Sequence, residues 1–203
     1  MQNIRNIIFD LGGVILDIDL KRTELAFAAL GIGNFNQYYT LQTATPVFEN
    51  LEMGKITPET FYDEFRQIAQ LPLGNESIRD AWNALLLEFI PERIDLIKQL
   101  KQRYNIYLLS NTNQIHYNYF ANAYNEQIGG EFDSLFTKSY YSYQLGMRKP
   151  SKEIFEKVIQ NENLEAAKTV FIDDSEANIQ GARLAGLQTI HLPHPQTILE
   201  LGL

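Results

Sequence analysis

Three short stretches of this chain are apolar with almost no interruption: "NIIFD" at residues 6–10, "NIYLLSN" at 105–111 and "TVFIDD" at 169–174. A fourth, "TIHLP" at 189–193, is nearly so. A strand with one wet face alternates polar and apolar residues, so runs that do not alternate belong to strands buried on both faces. Helical patterns lie between the second and the last of them. That alternation constrains the chain to an α/β fold, with a parallel sheet flanked by helices. "FDSLFT" at 132–137 is a weaker fifth strand candidate. In "DSEANIQGARLAGLQTI", Ser175 is placed to cap a helix and Gly186 to end it, with Ala177, Ala182 and Ala185 keeping it close to the sheet.

Residues 18–88 read differently, as helices without a convincing strand. Asp19 precedes "LKRTELAFAAL", which closes at Gly31. Thr57-Pro58 opens "PETFYDEFRQIAQ", with Phe61, Phe65 and Ile68 on one face. Asn75 precedes "ESIRDAWNALLLEF", whose apolar stripe is Ile78, Trp82, Leu85 and Leu86. Such a block between the first two sheet strands is an insertion. The expected division is 1–17 with 89–203 as the core and 18–88 as the inserted helical unit.

The net charge of −8 opposes a nucleic-acid partner, because phosphate backbones are held by basic surface. A small phosphorylated molecule stays open, since local cations or a metal reverse the field inside a cleft. With no cysteine there is no disulfide, thiolate catalysis or Cys-ligated zinc. No apolar run nears the ~20 residues of a membrane span, so no membrane partner is expected. The N-terminus lacks a signal-peptide profile, and a cytoplasmic monomer or small homo-oligomer is the expectation.

In open parallel sheets, ligands bind beyond the carboxyl ends of the strands. There the first run delivers Asp10, the second Ser110-Asn111 and the third Asp173-Asp174, while Lys149 lies in the loop "LGMRKP". A strand-end carboxylate serves as nucleophile or as hard oxygen ligand. Three carboxylates together repel unless a divalent cation neutralises them, and Mg²⁺ is the economical ion. Ser110 and the Asn111 N–H offer donors to a phosphate oxygen, helped by a following helix N-terminus. Lys149 supplies positive charge to a transferring phosphoryl group. Gly12 and Gly13 allow a sharp turn beside Asp10 and leave room for the ion.

In that order, "FDLGGV", "LLSNTN", "GMRKP" and "FIDDSEANI" resemble the four motifs of the haloacid dehalogenase-like (HAD) superfamily. The likeness spans nearly the whole chain and is greatest to the α-D-glucose-1-phosphate phosphatase branch. The phosphatase domain of soluble epoxide hydrolases is a more distant likeness. The resemblance implies a Rossmann-like core with a small α-helical cap inserted after the first strand. It implies a phosphatase in which Asp10 attacks phosphorus to form an aspartyl-phosphate. By the same resemblance, Asp10, Asp174 and the Gly12 carbonyl ligate Mg²⁺, and Asp173 completes the acidic patch, supporting them from behind or serving as an occasional ligand. Ser110, Asn111 and Lys149 hold the phosphoryl group, and the expected substrate is a small metabolite, with a sugar phosphate favoured.

Position 12 departs from the pattern. Most phosphatases of this superfamily carry there a second aspartate that protonates the leaving alcohol; this chain has Gly12. A positioned acid or base is worth ~10²–10⁴ in rate, so its absence amounts to roughly 3–5 kcal/mol unless compensated. Asp17, Asp19 and His116 are candidates to compensate, read more simply as a turn residue, a helix N-cap and an ordinary helix residue. A substrate hydroxyl or an ordered water is then the expected proton carrier. Glu49 and Glu52 in "FENLEMGKIT" are weaker substrate-facing candidates, and the tyrosines of "SYYSYQ" read as loop packing. A haloalkanoate dehalogenase, in which Asp10 attacks carbon, is the competing reaction, and Asp173-Asp174 argues against it. A non-catalytic binding or regulatory protein and a phosphomutase are further alternatives.

Overall fold

The computed structural model describes residues 3–40 and 43–203. Strands β1 (Asn6–Phe9), β4 (Asn105–Ser110), β5 (Lys138–Tyr141), β6 (Thr169–Asp173) and β7 (Gln188–His191) form one parallel sheet in the order β5-β4-β1-β6-β7. The central strand β1 is buried along its whole length, as its unbroken apolar run requires. Alternation along each strand sends Ile7, Phe9, Ile106, Leu108, Val170 and Ile172 to one side of the sheet, covered by α5 (Pro91–Leu100) and α6 (Gln114–Gln127). Ile8, Tyr107, Leu109 and Phe171 face the other side, under α8 (Lys152–Asn161) and α9 (Glu176–Leu184). The chain fills β4 and β5 on one side of β1 before crossing to β6 and β7, so the switch in strand order lies at β1.

Between β1 and β4 run α1 (Leu20–Ala29), α2 (Pro46–Glu52), α3 (Pro58–Ala69) and α4 (Asn75–Asn83). They close around an aromatic cluster of Phe27, Phe35, Phe48, Phe61, Phe65 and Trp82. Asp19 caps α1 by accepting from the Lys21 amide, and Thr57 caps α3 through the Thr60 amide. The layer rests on α6, where Ile115 joins its core and the His116 ring lies 4.5 Å from that of Trp82.

Four local expectations change. "FDSLFT" is not a strand. Phe132 and Leu135, three apart, are both buried by a 3₁₀ turn, and the strand follows at Lys138–Tyr141. The helix expected to run to Phe89 stops at Asn83. Leu86–Phe89 instead forms β3, antiparallel to β2 (Leu16–Ile18), so a two-stranded ribbon leads into and out of the helical layer. Ser175 occupies the N-cap position of α9 without a side-chain bond; its amide donates to Asp173 Oδ1 instead. Ala177 is exposed, and the close approach to the neighbouring loop is made by Gly181, where a Cβ would run into the Pro150 carbonyl. Among the described residues no helix is long and apolar enough to cross a membrane.

Candidate active site

Strand register sets the site. Phe9 pairs with Ile172, so the next residues, Asp10 and Asp173, end adjacent parallel strands at the same level. By alternation both side chains leave on the Ile8 and Phe171 side, the side from which the loop before α8 brings Lys149. Its ammonium lies 2.7 Å from Asp10 Oδ1 and 2.7 Å from Asp173 Oδ2, and 5.2 Å from the Phe171 ring centre. Lys149 is 1% exposed, and Asp173 is fully buried.

Asp173 is held on every side. Besides Lys149, it accepts from the Ser175 backbone amide at 2.8 Å, and Asn178 Nδ2 donates to both of its oxygens at 3.0 Å. Asp10 and Asp174 are less engaged, and oxygens of Asp10, Asp173 and Asp174 lie within 4.8 Å of one another. Burial raises the Asp10 carboxyl to about 7, opposed by Lys149 and reinforced by Asp173 and Asp174. Asp174 is raised as well, by burial and then by Asp173. Lys149 is held above its ordinary value: burial works against its charge, and the two aspartates outweigh it. Three close carboxylates, two of them resisting ionisation beside one ammonium, make a donor set suited to a hard divalent cation. Gly13 keeps that space open, because at φ +74° a Cβ would lie 2.5 Å from Asp174 Oδ2.

Ser110 ends β4 and is buried, its hydroxyl making a long 3.4 Å contact to the Asn111 carbonyl. The Asn111 side chain clamps Lys149, donating to its carbonyl and accepting from its amide, both at 2.9 Å. The start of α6 is less available than its position suggests. Asn113 accepts from the Ile115 and His116 amides, and the Thr112 amide donates to Ser142 Oγ. The Thr112, Ile115 and His116 amides are therefore already engaged within the protein.

The candidates for the missing acid at position 12 are all engaged elsewhere. Asp17 pairs with buried Arg93 at 2.6 Å, and Asp19 caps α1. His116 is buried with both ring nitrogens in contact, one with Asn113 and one with the Trp82 carbonyl, and burial lowers its pKa to about 3. A ring that stays neutral and enclosed does not shuttle protons near neutral pH. Glu49 and Glu52 meet Arg148, the residue before Lys149. Burial holds the Glu52 carboxyl above its usual range against the pull of Arg148 and the Tyr39 hydroxyl. The tyrosines of "SYYSYQ" do not pack a loop: Tyr140 and Tyr141 end strand β5, where Tyr140 donates to Glu162 and Tyr141, like Tyr117 of α6, donates to Asp133.

Sequence reasoning missed Asn178 and Arg148. Asn178 had a usable signal: it lies one turn into the helix that follows Asp173, where a side chain can fold back over the strand end. Arg148 had none, because its partners come from a different part of the chain.

A family model described as haloacid dehalogenase-like hydrolase matches residues 4–186. D-ribitol-5-phosphate phosphatase of Bacteroides thetaiotaomicron is 33% identical over 186 residues, covering 92% of this chain and 90% of that protein. A HAD-family enzyme of the same organism, crystallised with magnesium and inorganic phosphate, has a TM-score of 0.90 at 33% identity, covering 98% of this chain and 100% of that one. A HAD-like hydrolase of Porphyromonas gingivalis has a TM-score of 0.87 at 31% identity, covering 96% and 93%.

Proposed function

This chain belongs to the haloacid dehalogenase-like hydrolases, and from that membership we propose that it is a Mg²⁺-dependent phosphatase of a small phosphorylated sugar or sugar alcohol. The observation that carries the reading is the triad of Asp10, Asp173 and Asp174, with oxygens within 4.8 Å, beside a buried ammonium 2.7 Å from two of them. The similarity to a ribitol-5-phosphate phosphatase supports the choice of substrate class.

Asp10, Asp174 and the Gly12 carbonyl are the groups that would hold Mg²⁺, which when bound offsets the carboxylate charge and that of the incoming phosphate. Asp10 attacks phosphorus through a carboxylate oxygen, the bond from phosphorus to the leaving oxygen breaks, and an aspartyl-phosphate forms. Water then attacks phosphorus, releasing inorganic phosphate and restoring Asp10. Ser110 and the Asn111 amide hold phosphoryl oxygens, and Lys149 balances charge on the transferring group. Asp173 keeps Lys149 in place. With Gly12 in place of an acid and Asp17, Asp19 and His116 engaged elsewhere, the leaving alkoxide takes its proton from water or a neighbouring substrate hydroxyl. A polyol phosphate carries such hydroxyls. The helical layer over residues 18–88 serves as the cap that screens the reacting groups from bulk water.

The test is phosphate release from p-nitrophenyl phosphate and from D-ribitol 5-phosphate, with Mg²⁺ and with chelator. Mg²⁺-dependent release that Asp10→Asn lowers at least a thousand-fold, in a protein of unchanged circular dichroism, supports the proposal. Chloride release from a 2-haloacid without phosphate release would replace it with dehalogenation, and no turnover of either kind would leave a binding protein.

A further inference from the structure

The side chain of Arg148 reaches from the core to the helical layer. Its guanidinium lies 3.0 Å from Glu52 and 3.5 Å from Glu49, both on α2. Glu49 is half exposed, whereas the Glu52 side chain is 4% exposed. The second oxygen of Glu52 accepts from the Tyr39 hydroxyl at 3.0 Å. The Tyr39 ring meets Trp82 edge-on at 4.7 Å and lies 5.4 Å from Phe48, so this carboxylate is anchored in the aromatic centre of the layer. A second contact joins the same two segments. Gly54, at φ +63°, lies against the Tyr143 carbonyl so closely that a Cβ would not fit, and Tyr143 is in the short helix α7 (Ser142–Leu145) that precedes Arg148.

Lys149 is thus gripped from two directions. Asn111 fixes its backbone from the core, while the side chain one residue earlier is fixed by the helical layer. A line of contacts runs from Trp82 through Tyr39 and Glu52 to Arg148, which precedes Lys149 in the chain.

Resting on the assignment of Lys149 to the phosphoryl site, we infer that Glu52 is a positioning residue: through Arg148 it makes the placement of Lys149 depend on the seating of the helical layer. The energetics of the pair suit that role. Both groups lose water when they meet, and the desolvation of a buried pair roughly cancels its attraction. Glu52 Oε2 meets Arg148 Nη2 as an ion pair without hydrogen-bond alignment, and Arg148 Nε has no hydrogen-bond partner among the described residues, so the pair is incompletely satisfied. A contact close to break-even is weak as glue and can be made and released as the layer seats and lifts. Hydrating both groups in the lifted position compensates the loss, while the segment leading into Lys149 is freed.

Four variants of the full chain test this: Glu52→Gln, Arg148→Met, the double variant and Arg148→Lys. Two quantities are measured, kcat on p-nitrophenyl phosphate with Mg²⁺ and amide hydrogen exchange. Each of the first two changes is expected to lower kcat at least tenfold and to speed exchange at residues 146–150 at least tenfold, with exchange in β1 and β6 unchanged. The double variant should be no worse than the poorer single one, and Arg148→Lys should recover most of the rate. Wild-type kcat or wild-type exchange at 146–150 in Glu52→Gln overturns the inference. So do losses that multiply in the double variant, or faster exchange spread over the whole sheet. A wild-type protein that released no phosphate would refute the phosphatase reading instead, and the exchange data would still decide the coupling.

Discussion

The two glycines after Asp10 do different physical work, and each can be tested by adding a side chain. At Gly13 the backbone is left-handed and a Cβ would lie 2.5 Å from Asp174 Oδ2, so Gly13→Ala adds backbone strain and displaces Asp174, one of the proposed cation ligands. The expected result is at least a hundred-fold loss of phosphatase rate with a raised Mg²⁺ requirement, read from a Mg²⁺ titration of the rate. At Gly12 the backbone is not left-handed, and a Cβ would sit 3.4 Å from Ile18 Cδ1, which a small shift accommodates. Gly12→Asp therefore brings no left-handed strain and no Cβ clash, and it supplies an acid at the position where this chain lacks one. Its kcat on an alkyl phosphate such as D-ribitol 5-phosphate should rise by about tenfold or more, with little change on p-nitrophenyl phosphate, whose leaving group needs little protonation. Equal effects on both substrates would mean that proton transfer is already supplied by another group. Asp10, Asp173 and Asp174 could be placed from sequence because a charge that ends a fully apolar strand has only the sheet edge to occupy. Arg148 could not be placed in the same way: what a side chain reaches from a loop depends on directions that a linear pattern does not record, whereas Asn178 was at least signalled by its place one turn into the helix after Asp173.

Among the elements, the parallel strands and the capped helices α1 and α3 were legible because their signals are local: unbroken apolar runs, Asp19, and Thr57 before Pro58. The ribbon of β2 and β3 was not. Leu86 continues the helical stripe of Ile78, Trp82 and Leu85, and it becomes a strand only because Leu16–Ile18 is there to pair with it. "FDSLFT" fails for a related reason, since a three-residue spacing of buried groups and an alternating one look alike over six residues. Helix α6 gives the prediction at this scale. His116, folded with a pKa of about 3 against about 6.5 unfolded, is bound in its neutral form between Asn113 and Trp82. The unfolded chain therefore binds the extra proton below pH 6.5, and the stability from this residue, intact above that pH, falls as the pH drops toward 3. By pH 5 the loss is about 2 kcal/mol, from 1.36 kcal/mol per unit. Urea unfolding at pH 7 and pH 5 should show it. His116→Gln, weaker overall, should lose less between those two pH values; an identical loss would place the acid sensitivity elsewhere.

For the whole molecule, the decisive fact is that a chain of net charge −8 gathers three carboxylates at the centre of its sheet edge. Two contributions to stability follow, and they respond to different additions. Distributed negative charge on the surface destabilises the compact state weakly and is relieved by any salt, because exposed charges are screened beyond about 8 Å at physiological ionic strength. The cluster at Asp10, Asp173 and Asp174 is enclosed, so screening reaches it poorly, and its repulsion is relieved by an ion that binds there. Binding to the folded chain alone stabilises it by RT ln(1 + [L]/Kd), about 2.7 kcal/mol at a hundred times Kd. For a domain of this size each kcal/mol moves the melting temperature by about 2–4 °C, so saturating Mg²⁺ should raise it by about 5–11 °C. Sodium chloride at equal ionic strength should reproduce only a small part of that shift. In Asp174→Asn, where one ligand charge is gone, the Mg²⁺ increment should shrink while the sodium chloride response stays the same. Equal responses to the two salts, in wild type and variant alike, would mean that the acidic edge is neutralised by Lys149 alone and that the chain has no dedicated cation site.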